Sequence, residues 1–221
     1  MADIFAQVSL AQPTHAGVVI MRPHQGNHRG ALLLNIAETE ARIRYLPGYV
    51  SASFFVDADG SVLAEYVRWQ SAEHLAAAFA RPEFQEHLPV VEAMAPHPAL
   101  AFGAPWAILD AHGRHAFDFA QGPCAMSILE AGTVSLDSAA AALADRYRGM
   151  LGHAVETVVL HKDAKEGRIA LIATGRHGDV PEPPQIAGVA VVDHTGPLTH
   201  YSTVLAGRDP ALALRYRMSP V

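Results

Sequence analysis

The order of signals within residues 47–89 constrains the fold of this chain more than any other feature. Two runs rich in β-branched and aromatic side chains, residues 49–56 and 61–69, flank the acidic, glycine-ended turn 57–60. This pattern predicts a β-hairpin. Ser71 follows the second strand directly as a favourable N-cap, which predicts that a helix begins there. Two strands that run straight into a helix indicate a mixed α+β fold.

The remaining elements of the first half complete a β-α-β-β-α-β order. A short apolar run predicts a strand over residues 17–22, and an apolar stripe at helical spacing predicts a helix over 28–45. The alanine-rich helix over 72–80 is followed by a proline-started segment over 82–94. A strand over 100–109 closes this half. The order is that of a ferredoxin-like domain.

The second half repeats this order more faintly, with the proline-rich segment 178–185 where a second helix would stand. We therefore predict an α+β protein of two tandem ferredoxin-like domains, residues 15–110 and 123–210, joined by a linker at 111–122; the second copy is degenerate. Each sheet can cover the open face of the other. The elements predicted in the second half are strands over 125–129, 155–161, 168–174, 186–193 and 200–205 and a helix over 135–151.

Composition excludes several classes of function. The chain of 221 residues has a formal charge of -6, and its basic residues are scattered, so no nucleic-acid partner is expected. Its single cysteine, Cys124, allows neither an internal disulfide nor a thiolate-rich zinc site. No secretory signal and no apolar run of membrane-spanning length are present, so no membrane association is expected. These features favour a soluble cytoplasmic protein.

The second strand of the hairpin places a carboxylate beside an indole. Because side chains alternate along a strand, Leu63, Glu65, Val67 and Trp69 share one face. Apolar surroundings would raise the pKa of the Glu65 carboxyl, which suits it to remove a proton from a phenol or anthrone ring stacked on Trp69 in a hollow large enough for fused rings. In the alternative interpretation, Trp69 is core and Glu65 pairs with an arginine at an interface.

Three segments resemble the antibiotic biosynthesis monooxygenase domain: PGYVSASFF, EYVRWQSAEHL and RPEF. The resemblance implies a dimeric α+β barrel, here formed within one chain, as in the tandem-domain ring-opening oxygenases of angucycline biosynthesis. In anthrone-oxidising members a Trp and an Asn are important; they correspond to Trp69 and to the position of Glu65, and the second departs from the pattern. The haem-degrading relatives carry a His where this chain has Phe79, which argues against haem.

The resemblance also suggests further site residues. His28 and His74 are predicted to act with Glu65 and Trp69, because the first helix and the strand-helix corner border the cavity in this fold. No metal site is predicted, since His112 and His115 have no evident third ligand. The side chains expected to bind the substrate are Tyr49, Phe54, Leu63, Val67, Phe79 and Phe84.

These features together predict an oxygenase that acts on a polycyclic aromatic polyketide, by hydroxylating an anthrone-like ring to a quinone or by oxidative ring cleavage. Dioxygen is the expected substrate. No tightly bound cofactor is expected because nucleotide-binding motifs are absent, but reduced flavin, FMNH2 or FADH2 from a flavin reductase, remains a candidate co-substrate. Edge strands leave a homodimer open. The alternatives are a cofactor-free isomerase or cyclase, and a non-catalytic protein that binds a hydrophobic ligand.

Overall fold

The computed structural model describes residues 7–9, 14–24, 28–95, 99–114, 116–118, 122–175, 180 and 182–207. Its strands and helices follow the predicted order closely. None of the helices within these ranges is both long enough and apolar enough to cross a bilayer. The elements are β1 (Gln7–Ser9), β2 (His15–Met21), α1 (His28–Ala41), a 3-10 turn (Ile43–Tyr45), β3 (Tyr49–Val56), β4 (Leu63–Trp69), α2 (Ala72–Phe79), α3 (Pro82–Met94), β5 (Ala99–Asp110), β6 (Ala116–Asp118), β7 (Cys124–Ala131), α4 (Leu136–Arg148), β8 (Val155–Asp163), β9 (Arg168–Gly175), β10 (Val189–His194) and β11 (Thr199–Leu205).

The first half has the predicted ferredoxin-like topology. Its antiparallel strands lie in the order β5-β2-β4-β3, and the helices α1, α2 and α3 connect them. The β3–β4 hairpin is held by its acidic turn: Asp57 accepts hydrogen bonds from the Ser61 hydroxyl and the Val62 amide, and Gly60 adopts a φ of 78°. Ser71 caps α2 as predicted by accepting the amide hydrogen of His74.

The second half has the same topology with fewer helices. Its strands lie in the order β10-β7-β9-β8, and α4, which Ser135 caps, connects β7 to β8. Residues 182–186, in the segment where a second helix would stand, are not helical. The prediction of a degenerate second ferredoxin-like copy is therefore confirmed.

Two local predictions differ from the structure. The helix predicted to reach Tyr45 ends at Ala41, because the backbone of Arg42 leaves helical geometry (φ −127°) and a 3-10 turn follows. The segment predicted as linker contains a short strand, β6, which pairs with β1 through the register Gln7 to Asp118. Neither run is long enough to give a strand signal in the sequence.

The two halves form one barrel. The first part of β5, residues 99–103, pairs with β2, and its remainder, residues 104–110, pairs with β8. In the second half, β10 pairs with β7 of the same half, whereas β11 pairs with β3 of the first half. In the loop between β10 and β11, the Leu198 amide donates to the Cys124 carbonyl at 2.7 Å, and the Cys124 amide donates to the Leu198 carbonyl at 3.0 Å. The predicted intrachain barrel of two face-to-face sheets is confirmed.

Three apolar clusters make up the core. One fills the space between the sheets and includes Val18, Tyr66 and Met126 from both halves. Across this interior the Tyr66 hydroxyl meets Nε2 of the buried His161 at 3.1 Å, and Nδ1 of His161 donates to the Gly103 carbonyl at 3.2 Å. The other two clusters lie between each sheet and its own helices. The barrel interior is thus packed with side chains, and open space for a ligand lies instead on a helix-covered face of the sheet.

Candidate active site

A cavity of about 110 Å³ lies between the first sheet and its helices. Alternation along β4 decides which side chains reach it: Glu65, Val67 and Trp69 line the cavity, whereas Ala64 and Tyr66 belong to the cluster between the sheets. The predicted shared face of the strand is thus present. The lining residues are Val19, Thr39, Ile43, Glu65, Val67, Trp69, Leu75, Phe79, Phe84, His87, Leu88, Val91, Leu100 and Phe102.

Glu65 carries the most perturbed carboxyl of this site. Its burial among apolar groups raises its pKa to about 7, although the side chain keeps some accessible surface where it borders the cavity. Asn35 on α1 opposes the shift, yet neither atom of its buried amide makes a hydrogen bond of normal geometry within the described residues. No ion pair of Glu65 is found there either, so the interface pair with an arginine is not formed in this part of the chain.

Trp69 is at once a core residue and a wall of the cavity. Its side chain is 1% exposed and packs edge-on against Tyr49, with ring centroids 5.4 Å apart; the ring of Phe84 lies tilted to it, with centroids 6.4 Å apart. The indole Nε1–H has no hydrogen-bond acceptor among the described residues. A buried donor without a partner is costly, so a ligand oxygen at this position would be favoured.

His87 on α3 is a site residue that the sequence did not single out. It is buried, lines the cavity, and its Nδ1 has no partner within the described ranges. Burial, and secondarily the charge of Arg42, lowers the pKa of His87 to about 4, so the imidazole is neutral at physiological pH. The signal for it was present: Phe84, His87 and Val91 follow helical spacing and form one stripe that faces the cavity.

Of the two histidines chosen from the sequence, His74 does not line this cavity. His74 lies at the start of α2, where its Nδ1 is 3.1 Å from the Ser71 hydroxyl and its ring packs over Gly48. A Cβ at Gly48 would come within 2.2 Å of the His74 ring, and Gly48 has a φ of 81°, so this contact requires glycine. His28 begins α1, and its side chain lies outside the described residues.

The six side chains predicted to bind substrate divide into two groups. Those that line the cavity are Val67, Phe79 and Phe84. Those buried in the surrounding apolar cluster without lining it are Tyr49, Phe54 and Leu63. The Tyr49 hydroxyl is already engaged, since it donates to the Val204 carbonyl at 3.0 Å. These three support the wall of the cavity from behind.

The cavity is smaller than the sequence led us to expect. Its volume of about 110 Å³ lies below the ~300–1,000 Å³ of ordinary ligand pockets and below the ~150 Å³ of a cavity known to admit one benzene. The expectation of a hollow large enough for fused rings is therefore wrong for this cavity, which has no room for more than one ring. A larger groove of about 790 Å³ adjoins it.

Comparisons with known proteins agree with this fold. No protein-family model matches the chain. A tetracenomycin-F1 monooxygenase from Streptomyces glaucescens is 41% identical over 49 residues, which make up 22% of this chain and 44% of that relative, less than half its length. The crystal structure of an anthrone oxidase-like protein superposes with a TM-score of 0.72 at 14% identity, and the match covers 91% of this chain and 97% of the other.

A second solved structure, from Fusobacterium nucleatum, matches with a TM-score of 0.53 at 8% identity, covering 90% of this chain and 97% of the other. Both structural matches extend over both halves of the chain, which supports the tandem architecture. The predicted resemblance is confirmed as a local sequence similarity to a tetracenomycin-F1 monooxygenase and as a likeness of fold over nearly the whole chain.

Proposed function

We propose that this chain is an oxygenase that acts on a phenolic or anthrone-type aromatic polyketide. The observation that carries the proposal is the Glu65 carboxyl, whose pKa is raised to about 7 in an apolar cavity walled by Trp69. Such a carboxyl is partly ionised at neutral pH and binds a proton strongly enough to act as a general base and then as an acid. The similarity to a tetracenomycin-F1 monooxygenase supports the same class of substrate.

The proposed reaction begins when Glu65 takes a proton from the reacting ring carbon. The electron pair of the broken C–H bond delocalises into the ring, and the carbanion passes one electron to dioxygen. The ring radical and superoxide then form a C–O bond, and the peroxide takes the proton back from Glu65. Loss of water breaks the O–O bond and the second C–H bond, leaving a carbonyl. One anthrone and one dioxygen thus give one quinone and one water.

The stoichiometry of this reaction determines whether a reductant or a cofactor is needed. No external reductant is consumed, so we propose that hydroxylation proceeds without a tightly bound cofactor. Ring cleavage by insertion of a single oxygen atom would instead need two reducing equivalents to release the other oxygen atom as water, and reduced flavin from a flavin reductase would supply them. The apolar lining excludes water from the carbanion and lowers the local dielectric.

The neutral His87 and the indole of Trp69 would orient the ring. Trp69 Nε1–H can only donate, and so suits a ketone oxygen, whereas Nδ1 of a neutral imidazole can accept a phenolic proton. A ring that carries a carbonyl and a hydroxyl would satisfy both buried nitrogens, each of which lacks a partner within the described residues.

Oxygen consumption with 1,8-dihydroxyanthrone tests this proposal. We expect protein-dependent uptake that matches quinone formation one to one, and a large loss of turnover in Glu65→Gln. The matched control is Glu92→Gln, which alters an exposed carboxylate on α3 away from the cavity lining. Conversion that persists without oxygen would refute the oxygenase and favour an isomerase or cyclase. Binding without conversion would favour a ligand-binding protein.

A further inference from the structure

A second hollow adjoins the cavity on the outer side of its aromatic wall. This groove of about 790 Å³ runs between α2, β5 and the turn that joins β8 to β9, so both halves of the chain contribute to it. It is lined by His15, Ala72, Leu75, Ala76, Phe79, Leu100, Phe102, Gly103, Ala104, Lys162, Asp163, Ala164, Lys165, Glu166 and Arg168. The side from α2 and β5 is largely apolar, and the opposite rim is charged.

The two hollows share a wall made of side chains. Leu75, Phe79, Leu100 and Phe102 each line both the cavity and the groove. The rings of Phe79 and Phe102 meet edge-on with centroids 6.3 Å apart, and neither side chain is fully buried. Side chains that are only partly buried can change rotamer without backbone movement, so Phe79 and Phe102 can separate while the helix and strand keep their places.

The volumes determine how a polycyclic ligand could fit. The cavity of about 110 Å³ has no room for more than one ring, whereas the groove of about 790 Å³ is of ordinary ligand size. A molecule of three fused rings that presents its reacting ring to Glu65 must therefore extend beyond the cavity. The shared wall lies between that ring and the nearest large space, so the remaining rings would lie in the groove.

We propose that the substrate is shared between the two hollows: one ring lies beside Glu65 and Trp69, and the other rings pass between Phe79 and Phe102 into the groove. This inference rests on the proposed function, which identifies the ligand as an aromatic polyketide, and it specifies the shape of that ligand. The ligand is a flat, elongated polycycle of at least three fused rings. Oxygen substituents at its far end meet the polar rim contributed by the second half.

The second half also anchors the backbone that carries Phe102. The carboxylate of Asp163, at the end of β8, accepts the backbone N–H of Phe102 at 3.1 Å and those of Lys165 and Glu166 at 3.1 and 3.2 Å. Gly17 on β2 leaves room for the Phe102 ring, since a Cβ there would come within 2.0 Å of it. The backbone of Phe102 is thus anchored by a carboxylate of the second half, while a glycine of the first half leaves space for its ring.

Calorimetric titration of 1,8-dihydroxyanthraquinone, a product-like tricycle that does not react, tests the inference. Ala76 is exposed on α2 and lines the groove but not the cavity, so Ala76→Trp obstructs the groove and leaves the core intact. We expect this variant to bind the tricycle about tenfold or more weakly than the unmodified chain. The neighbouring Ala77 is equally exposed but lines neither hollow, so Ala77→Trp should bind normally.

The outcomes separate this inference from the proposed function. Equal binding by Ala76→Trp and Ala77→Trp would overturn the shared site and leave the oxygenase proposal standing. Failure of the unmodified chain to bind any tricycle would overturn both. Thermal unfolding of the two variants provides a check on folding, and matching transitions would assign a difference in affinity to the groove itself.

Discussion

The Glu65→Gln substitution should make the protein more stable at neutral pH and leave its stability at acidic pH almost unchanged. The folded environment raises the pKa of Glu65 from 4.5 to about 7, so the folded state holds this proton more tightly than the unfolded chain does. The stabilisation that comes from this tightly held proton is therefore fully present below the pKa that Glu65 has in the unfolded chain. It is lost as the pH rises through the pKa that Glu65 has in the folded protein. Gln has a similar shape and no charge, so it does not incur this loss.

The size of the effect follows from the two pKa values. Between about pH 5 and pH 8 the linkage relation gives a loss of about 2.5 kcal/mol in the unfolding free energy of the native protein relative to Glu65→Gln. His87 and His161, whose pKa values are lowered to about 4 by burial, act in the opposite sense and stabilise the protein as pH rises from about 4 to 6.5. Taking the difference between variant and native protein cancels these histidine contributions to first order.

Urea unfolding at about pH 5, 6, 7 and 8 measures this difference, provided that the m-values of the two proteins agree. A rise of the Gln-minus-Glu difference by about 2.5 kcal/mol, centred below pH 7, would support a desolvated carboxyl. A difference that stays flat over this range would refute the reasoning, because it would mean that Glu65 ionises as it does in water. The proposed base would then lose its physical basis.

Three further results are expected. The kcat/KM of the native protein should rise with pH through an apparent pKa near 7, the value for Glu65, and a pH-independent rate would contradict this. His87→Phe should raise KM for a phenolic substrate by about tenfold while the fold stays intact, because the unpartnered Nδ1 is lost; an unchanged KM would remove it from binding. Gly17→Ala should cost about 1–3 kcal/mol in urea unfolding, since its Cβ would overlap the Phe102 ring, and a neutral effect would show that the ring moves freely.

The architecture was readable from the sequence because its signals are local. The hairpin around Asp57 and Gly60 and the cap at Ser71 each act within a few residues, and each stands where predicted. The same holds for the face shared by Glu65 and Trp69, because the period of a strand is two and leaves only one alternative face.

The composition of the site was less readable because it depends on long-range packing. His74 and His87 both lie on the helical connection after β4, yet only His87 lines the cavity; the rotation of α3 relative to the sheet decides this, and no local signal fixes that rotation. The volume of the cavity likewise depends on how Phe84 and Phe102 pack together with residues from distant elements. The sequence supplies these rings but not the space between them.

The reciprocal strand pairing of the barrel has a consequence for how the chain can be divided. The end of β5 belongs to the sheet of the second half, and β11 belongs to the sheet of the first, so each half completes the other. Cleavage within 111–122 would leave two fragments with unsatisfied edges that must find each other by diffusion. Their recovery would then depend on protein concentration, as in an obligate heterodimer, whereas the covalent chain makes the same pairing at any dilution.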